Sequence, residues 1–227
     1  MLADRRVWRG VLPALPDAVC LELPSHGRAP AWDGDDYQTQ ALGLLDAQTR
    51  APVHLVGHSF GATVALRFAV EHPERLASLT LIEPVFFFAA AAAPLRAYAD
   101  RAAPVMDAIA AGELHSAAEL FLDAWGVPNG WAALPAPARD AIAAQMPLIA
   151  ASAPSIVEDS GGIWPRLGRV RCPIKLITGS RSEPVMAAIA EGLAGAMPLD
   201  AHVIDGAGHM IPLTHADALV PLLPTSP

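Results

Sequence analysis

The sequence predicts an α/β protein in which a mostly parallel β-sheet is flanked by helices. The first observation is that short apolar runs of strand type alternate along the chain with longer stretches of helical periodicity. The second is that the run at 52–56 leads directly into a Gly-x-Ser-x-Gly pentapeptide, and a long apolar helical pattern begins at Ala62. Alternation of strand and helix is typical of a parallel sheet covered on both faces.

The elements can be assigned in chain order. Strands are predicted at 18–23, 52–56, 79–82, 175–178 and 201–204. Helices are predicted at 36–49, 62–71 and 185–194. The second helix is expected to end at His72-Pro73, because proline lacks the N–H that would continue the helical hydrogen bonding.

The stretch between the third and fourth predicted strands has a different character. From about 85 to 165 the chain is rich in alanine, its helical segments are interrupted by prolines, and no strand pattern occurs. We therefore expect residues 1–84 and 166–227 to form a core that contains the sheet, with 85–165 as a helical insertion.

Composition excludes several classes of protein. A chain of 227 residues, 53% hydrophobic, is long enough for one domain with a sizeable core and is not of disordered type. Its formal net charge of −8 provides no basic surface for nucleic acid or an anionic membrane. The charged N-terminus does not resemble a signal peptide, and the apolar run 85–93 is too short to cross a bilayer. Cys20 and Cys172 are expected to be buried thiols in a reducing cytoplasm, neither a disulfide nor a metal pair.

The pentapeptide Gly57-His58-Ser59-Phe60-Gly61 predicts a nucleophilic serine. Strand, sharp turn and helix in this order would hold the Ser59 hydroxyl above a helix N-terminus. We expect glycine to be required at both 57 and 61, because side chains there would clash across the tight turn. The backbone N–H of Phe60 would then face negative charge that develops on a substrate. The alternative is that Ser59 lies in an ordinary strand-to-helix turn.

A serine nucleophile needs a base, and His209 is the candidate. It comes after the strand predicted at 201–204, at the end of a loop that contains Asp205, Gly206 and Gly208. A histidine on such a loop is able to turn its imidazole towards the serine; the alternative is a histidine on a surface loop. His54 and His58 flank the pentapeptide serine but are not expected to form a metal pair.

These residues resemble the α/β-hydrolase superfamily over most of the chain. The stretch 23–29 is similar to the loop before the nucleophile strand, 57–61 to the nucleophile elbow, and 206–209 to the catalytic-histidine loop. The order, serine and then histidine 150 residues later, is also that of the superfamily. The resemblance implies an α/β-hydrolase fold in which the insertion 85–165 is a helical cap.

The resemblance leaves two residues open for the acid of a Ser-His-acid triad. The superfamily usually has an aspartate in the turn after the cap, and this chain has Ser182 there. Glu83 ends the strand after the elbow helix, where some members carry the acid, and Pro84 would fix the chain's exit at the rim of the sheet. Glu183 lies one residue after Ser182. We favour Glu83 over Glu183, because Glu183 lies in a polar loop.

The resemblance also concerns the start of the sequence. The stretch 1–8 is similar to the residues directly after the His-Gly of the superfamily's oxyanion loop, so the N–H of Leu2 or Met1 is a candidate second oxyanion donor beside Phe60. Superfamily members have two or three strands before this point, one of which lies between the strands equivalent to 18–23 and 52–56. We therefore expect the reading frame to extend upstream of Met1.

The function implied is a serine hydrolase that cleaves an ester, thioester or related acyl bond, without metal or organic cofactor. The partner would be a small apolar substrate, and neither nucleic acid nor a membrane is expected. Aromatic residues in the insertion suggest an apolar pocket or belong to the insertion's own core: Phe86, Phe87, Phe88, Trp125 and Trp131. The alternatives are a C–C bond hydrolase acting on diketones and a catalytically silent protein of the same fold.

Overall fold

The computed structural model describes residues 4–50, 52–125 and 130–224. Its sheet has four strands, β1 to β4, in the order β1-β2-β3-β4, with every neighbouring pair parallel. The strands are β1 (Val53–His58), β2 (Leu76–Ile82), β3 (Ile174–Gly179) and β4 (Asp200–Ile204). The predicted parallel α/β architecture is confirmed, and these four strands lie where the sequence pattern indicated them.

Ten α-helices occur among the described residues. They are α1 (Tyr37–Gln48), α2 (Phe60–Glu71), α3 (Ala92–Ala110), α4 (Leu114–Trp125), α5 (Gly130–Ala133), α6 (Ala136–Gln145), α7 (Pro147–Val157), α8 (Pro184–Ala196), α9 (Ile211–Thr214) and α10 (Ala216–Leu219). Short 3₁₀ helices occupy Arg5–Trp8, Leu12–Ala14, Pro73–Arg75, Phe87–Ala89, Trp164–Arg169 and Val220–Leu222. Helix α1 begins where its N-cap Asp36 accepts a hydrogen bond from the backbone N–H of Thr39.

The strand predicted at 18–23 is not formed. These residues have no regular secondary structure, and the side chain of Val19 is 79% exposed. A strand exists only through hydrogen bonds to a neighbouring strand. Among the described residues β1 pairs with β2 alone, and nothing pairs with 18–23.

Apolar side chains cover both faces of the sheet at its two central strands, β2 and β3. Alternate residues of β2 point to opposite sides, so that Leu79 and Leu81 join the larger core cluster with α1, α2 and α8, while Ile82 joins a second cluster. That second cluster is completed by residues near both ends of the chain, including Val11 and Leu219. Burial on both faces is the physical reason that β2 and β3 occur as short apolar runs in the sequence, whereas the edge strand β4 has exposed residues such as Val203.

The stretch between β2 and β3 is largely helical where it is described. Helices α3 to α7 lie there, together with a cluster of their own around Val105, Ala118, Trp131 and Met146. No single described helix is both long and apolar enough to cross a membrane, whereas α6 and α7 together, with a bend of 42° between them, meet that length and composition.

Candidate active site

The carboxyl ends of β1 and β2 bring two candidate residues side by side. In the parallel register His58, the last residue of β1, is paired with Ile82, the last residue of β2. Ser59 and Glu83 each come next in the chain, at the same edge of the sheet. The loop after β4 carries His209 to this edge as well, because β4 runs in the same direction.

The turn at Ser59 is tight and strained. Ser59 has φ 56° and ψ −126°, a backbone conformation that L-residues rarely adopt, and its N–H donates to the carbonyl oxygen of Ile82 at 2.9 Å. A Cβ on Gly57 would lie 2.5 Å from the carbonyl oxygen of Gly61 and 2.6 Å from the Cα of Ala62. Glycine is therefore required at 57, as predicted. A Cβ on Gly61 would meet nothing within 4 Å, so the predicted clash at that position is wrong.

Ser59, His209 and Glu83 are connected by hydrogen bonds. The Oγ of Ser59 lies 2.9 Å from Nε2 of His209, and Nδ1 of His209 lies 3.0 Å from Oε2 of Glu83. Since a carboxylate only accepts, Nδ1 carries a proton and Nε2 is the nitrogen free to receive the proton of Ser59. Ser59 is 8% exposed and Glu83 is fully buried.

Glu83 is held by three further backbone and side-chain contacts. Its Oε1 accepts hydrogen bonds from the N–H of Gly179 and from the hydroxyl of Ser182, each at 2.8 Å. Its own N–H donates to the carbonyl oxygen of Ile177 at 2.8 Å, and its φ is 47°. Both oxygens of this buried carboxylate therefore have hydrogen-bond donors from the protein.

Glu183, the second candidate for the acid, has a different partner. Its Oε2 forms an ion pair of 2.7 Å with Arg101 of α3, and its backbone is the N-cap of α8. The imidazole of His209 bonds to Glu83 instead. The structure thus places Glu83, the favoured candidate, next to His209. Glu183 instead connects α8 to α3 through its ion pair.

Two further residues contact His209, and the role of the first, His58, was missed in the sequence. His58 donates from Nε2 to the carbonyl oxygen of His209 at 2.8 Å, which fixes the backbone that carries the imidazole. Burial, reinforced by the nearby His209, holds the pKa of His58 well below its usual range. The ring of Trp125 packs edge-on against the His209 ring with centroids 4.8 Å apart. The location of His58 inside the pentapeptide was the available signal for its role.

The predicted oxyanion donors are only partly within the described residues. Phe60 is the first residue of α2, a position whose N–H has no acceptor inside its own helix. Met1 and Leu2 lie outside the described residues.

A mostly apolar cleft opens beside Ser59 and His209, and about 390 Å³ of space there, including the open solvent at its mouth, is free of protein atoms. Its walls are Phe60, Val85, Phe87, Tyr98, Phe121, Trp125, Ile149, Ser152 and Ile156. Burial raises the pKa of Tyr98 to about 12, so its hydroxyl is neutral. Among the described residues, the cleft therefore presents no charged side chain apart from His209 when that residue is protonated.

The aromatic residues of the predicted insertion lie in different places. Phe87 and Trp125 line the cleft. Phe86 is fully buried in the core, Phe88 is 41% exposed, and Trp131 belongs to the cluster among α3 to α6. Only part of this set therefore faces the site.

The described residues contain no group of three or more His, Cys, Asp or Glu side chains arranged to hold a metal ion. His54 bonds through Nδ1 to the hydroxyl of Ser78 at 2.7 Å. Cys20 and Cys172 are both free and half-buried, less buried than expected, and burial raises the pKa of both thiols.

Comparison with known proteins gives consistent similarities. The model of the "Alpha/beta hydrolase family" matches residues 2–222. The chain is 30% identical to a pimeloyl-[acyl-carrier protein] methyl ester esterase of Methylococcus capsulatus, over 96% of this chain and 87% of that enzyme. Lipase LipV of Mycobacterium tuberculosis is 39% identical over 85 residues, which are 35% of this chain and 32% of the lipase. The fold is similar to that of a hydrolase from Oleispira antarctica, with a TM-score of 0.74 at 15% identity, covering 98% of this chain and 86% of that one.

Proposed function

Because the chain belongs to the alpha/beta hydrolase family, we propose that it cleaves a carboxylic ester, thioester or related acyl bond of a small apolar substrate through Ser59, His209 and Glu83. The observation that carries the proposal is the continuous set of hydrogen bonds from Ser59 Oγ through the His209 ring to Glu83. The similarity to a methyl ester esterase along nearly the whole chain supports an ester substrate.

In the first half of the reaction the Oγ of Ser59 attacks the substrate carbonyl carbon while Nε2 of His209 takes the hydroxyl proton. Glu83 accepts from Nδ1, which keeps the ring in the required tautomer and stabilises the cation that forms. The oxyanion is met by the N–H of Phe60 and by the positive end of α2. Met1 or Leu2 remains our proposed source of the second donor.

Collapse of the tetrahedral intermediate breaks the bond to the leaving group. The proton on His209 passes to the departing alcohol or thiol, and the acyl group stays on Ser59 as an ester. Water then attacks this acyl-enzyme with His209 again as base, and the second collapse releases the carboxylic acid and restores the Ser59 hydroxyl. No cofactor takes part in these steps.

The composition of the cleft walls favours a substrate whose acyl or alcohol group is uncharged and apolar. Burial of apolar substrate surface against aromatic and aliphatic side chains is favourable, because that surface is removed from water. A charged group on the substrate would lose its hydration in the cleft without gaining an ionic partner. Much of this wall comes from α3, α4 and α7. We therefore propose that 85–165 acts as a cap over a core formed by 1–84 and 166–227. A cytoplasmic location, supported by the two free thiols, is also a proposal.

The proposal is tested with p-nitrophenyl esters of increasing acyl length. We expect hydrolysis by the unaltered chain, and background rates for Ser59→Ala with an unchanged far-UV circular dichroism spectrum. Ser116→Ala, which removes an exposed serine hydroxyl on α4, is the matched control and should keep full activity. Activity in Ser59→Ala above background would exclude Ser59 as the nucleophile.

A parallel assay with a vinylogous diketone addresses the alternative reaction on the same residues. Cleavage of the diketone with no cleavage of any ester would replace the proposed activity by C–C bond hydrolysis. Inactivity on both substrate types in a folded protein would favour the catalytically silent alternative.

A further inference from the structure

We propose that Ser182 is a positioning residue, which aims the Glu83 carboxylate at His209 through the hydrogen bond from its hydroxyl. This inference rests on the proposed function of Ser59, His209 and Glu83. The Ser182 hydroxyl donates to Glu83, and Ser182 is not among the residues that line the cleft, so its effect passes through Glu83.

The first step of the argument concerns the length of the glutamate side chain. Three torsions separate the carboxylate of Glu83 from its backbone, and ordering a glutamate costs more conformational entropy than ordering a shorter acid. A single hydrogen bond to Nδ1 of His209 would leave the carboxylate free to rotate about its last torsion. The contacts of Oε1 remove that freedom, because they fix the second oxygen independently of His209.

The second step concerns where these contacts come from. The N–H of Gly179 and the hydroxyl of Ser182 both belong to the turn between β3 and α8, and both reach Oε1 at 2.8 Å. A buried carboxylate oxygen left with one donor instead of two loses a charge-assisted hydrogen bond. Ser182 is thus half of the support for one oxygen of a fully buried carboxylate.

The third step concerns why the turn is able to provide this support. The Ser182 N–H donates to the carbonyl oxygen of Gly179 at 3.2 Å, which closes the turn. Next along the chain, Glu183 is tied to Arg101 on α3. A Cβ on Gly179 would collide with the carbonyl oxygen of Ala207, in the loop that carries His209. The turn is therefore packed between the loop of the base and helix α3, with little freedom to shift.

The experiment compares Ser182→Ala with Ser182→Thr, which keeps a hydroxyl on Cβ. We expect Ser182→Ala to lower kcat by about 10-fold to 100-fold, the loss expected for one hydrogen bond to a charged group. KM should stay unchanged because Ser182 does not line the cleft, and Ser182→Thr should recover most of the activity. Thermal unfolding of each variant reports whether the turn itself has been destabilised.

The same substitution in a Glu83→Ala background separates positioning from a general effect on the turn. Without the carboxylate, Ser182→Ala should change kcat by less than about twofold, because the hydroxyl then has nothing to aim. If Glu83→Ala does not fold, Glu83→Leu serves as the background, because leucine fills more of the volume and has no hydrogen-bond acceptor. An equal loss in both backgrounds, a loss in KM alone, or full kcat in Ser182→Ala would overturn the proposal.

A spectroscopic readout keeps this test independent of turnover. The Nδ1 proton of His209, shared with Glu83, should give the most downfield imidazole N–H signal in the proton NMR spectrum. Ser182→Ala should move or broaden that signal, and Ser182→Thr should restore it. A changed signal in a chain that hydrolyses no ester would support Ser182's positioning role and contradict the proposed function; an unchanged signal in an active enzyme would contradict only the role of Ser182.

Discussion

The backbone is strained at the two residues of the proposed site that directly follow a strand. Ser59 and Glu83 both have positive φ, 56° and 47°, and each comes directly after one of two paired strands. Holding a non-glycine residue in this region costs on the order of 1–3 kcal/mol. The strain occurs where the chain leaves each strand and the side chain turns towards His209. It therefore has an identifiable geometric effect.

At this scale the sharpest prediction distinguishes the two glutamates. Glu83→Gln should lower kcat by roughly 10³-fold or more, because an amide facing Nδ1 disturbs the tautomer that the base requires. Glu183→Gln should leave kcat nearly unchanged, since it removes only a partly exposed ion pair with Arg101. Steady-state kinetics on one p-nitrophenyl ester measures both.

Matched thermal unfolding curves are the control for this comparison, because both variants must be folded when assayed. The opposite ranking, with Glu183→Gln the more damaged enzyme, would assign the acid to Glu183.

The residues of the site differ in how far the sequence could identify them. Ser59 and His209 were found because each lies in a local pattern, strand-turn-helix for one and a glycine-rich loop after a strand for the other. The acid could only be ranked, because Glu83 and Glu183 are distinguished by partners distant in sequence, His209 and Arg101. The contribution of His58 was missed for the same reason.

At the scale of elements, the elbow joins β1 to α2 with almost no space between them. Gly57, the fifth residue of β1, faces the backbone of Gly61 and Ala62 in the first turn of α2. This close approach is what lifts Ser59 above the end of the helix. Only one of the two glycines is therefore required by the packing.

The paired substitutions Gly57→Ala and Gly61→Ala test this asymmetry. Gly57→Ala should lower the free energy of unfolding by about 1–3 kcal/mol, as overpacking against backbone does. Gly61→Ala should be neutral or stabilising by up to about 1 kcal/mol, because alanine is the better helix former. Urea unfolding measured by circular dichroism gives both values, and equal destabilisation by the two substitutions would contradict the structure.

The strands that have a pairing partner in the described sheet were predicted well. The predicted strand that did not form shows what the sequence pattern leaves out. The runs that became β1 to β4 have local patterns and neighbours within that sheet. The run at 18–23 has a strand-like composition too, yet it forms no strand because no described strand lies beside it. Strand propensity describes how well a residue fits a sheet and does not by itself provide the pairing.

At the scale of the whole molecule, two histidines link stability to pH. His26 and His58 are held in surroundings that lower their pKa values, and burial is the main cause for both. Nδ1 of His26 lies 2.9 Å from the carbonyl oxygen of Pro24, and His58 supports the backbone of His209. The fold therefore favours the neutral form of both rings.

The sign of the pH effect is set by the lowered pKa values. Below about pH 6.5 the unfolded chain takes up protons on these histidines before the folded chain does, so the free energy of unfolding falls as the pH falls. We expect the melting temperature to decrease between about pH 7.5 and about pH 5. His58→Gln, which keeps an N–H donor, should reduce that decrease.

His54→Gln is the control, because His54 lies on the same strand with an exposed side chain. It should keep the slope of the unaltered protein. A melting temperature that is constant or rises on acidification, or slopes that are the same in all three proteins, would contradict this account.

The central claim is that Ser59 is an activated nucleophile, and covalent labelling by a fluorophosphonate tests it most directly. The Ser59 oxygen should displace fluoride from phosphorus as His209 removes its proton, giving one label per chain that peptide mass mapping locates on Ser59. Ser59→Ala should take up no label, and His209→Ala should react far more slowly. A folded protein that takes up no label, or one labelled at another residue and unaffected by Ser59→Ala, would contradict the account.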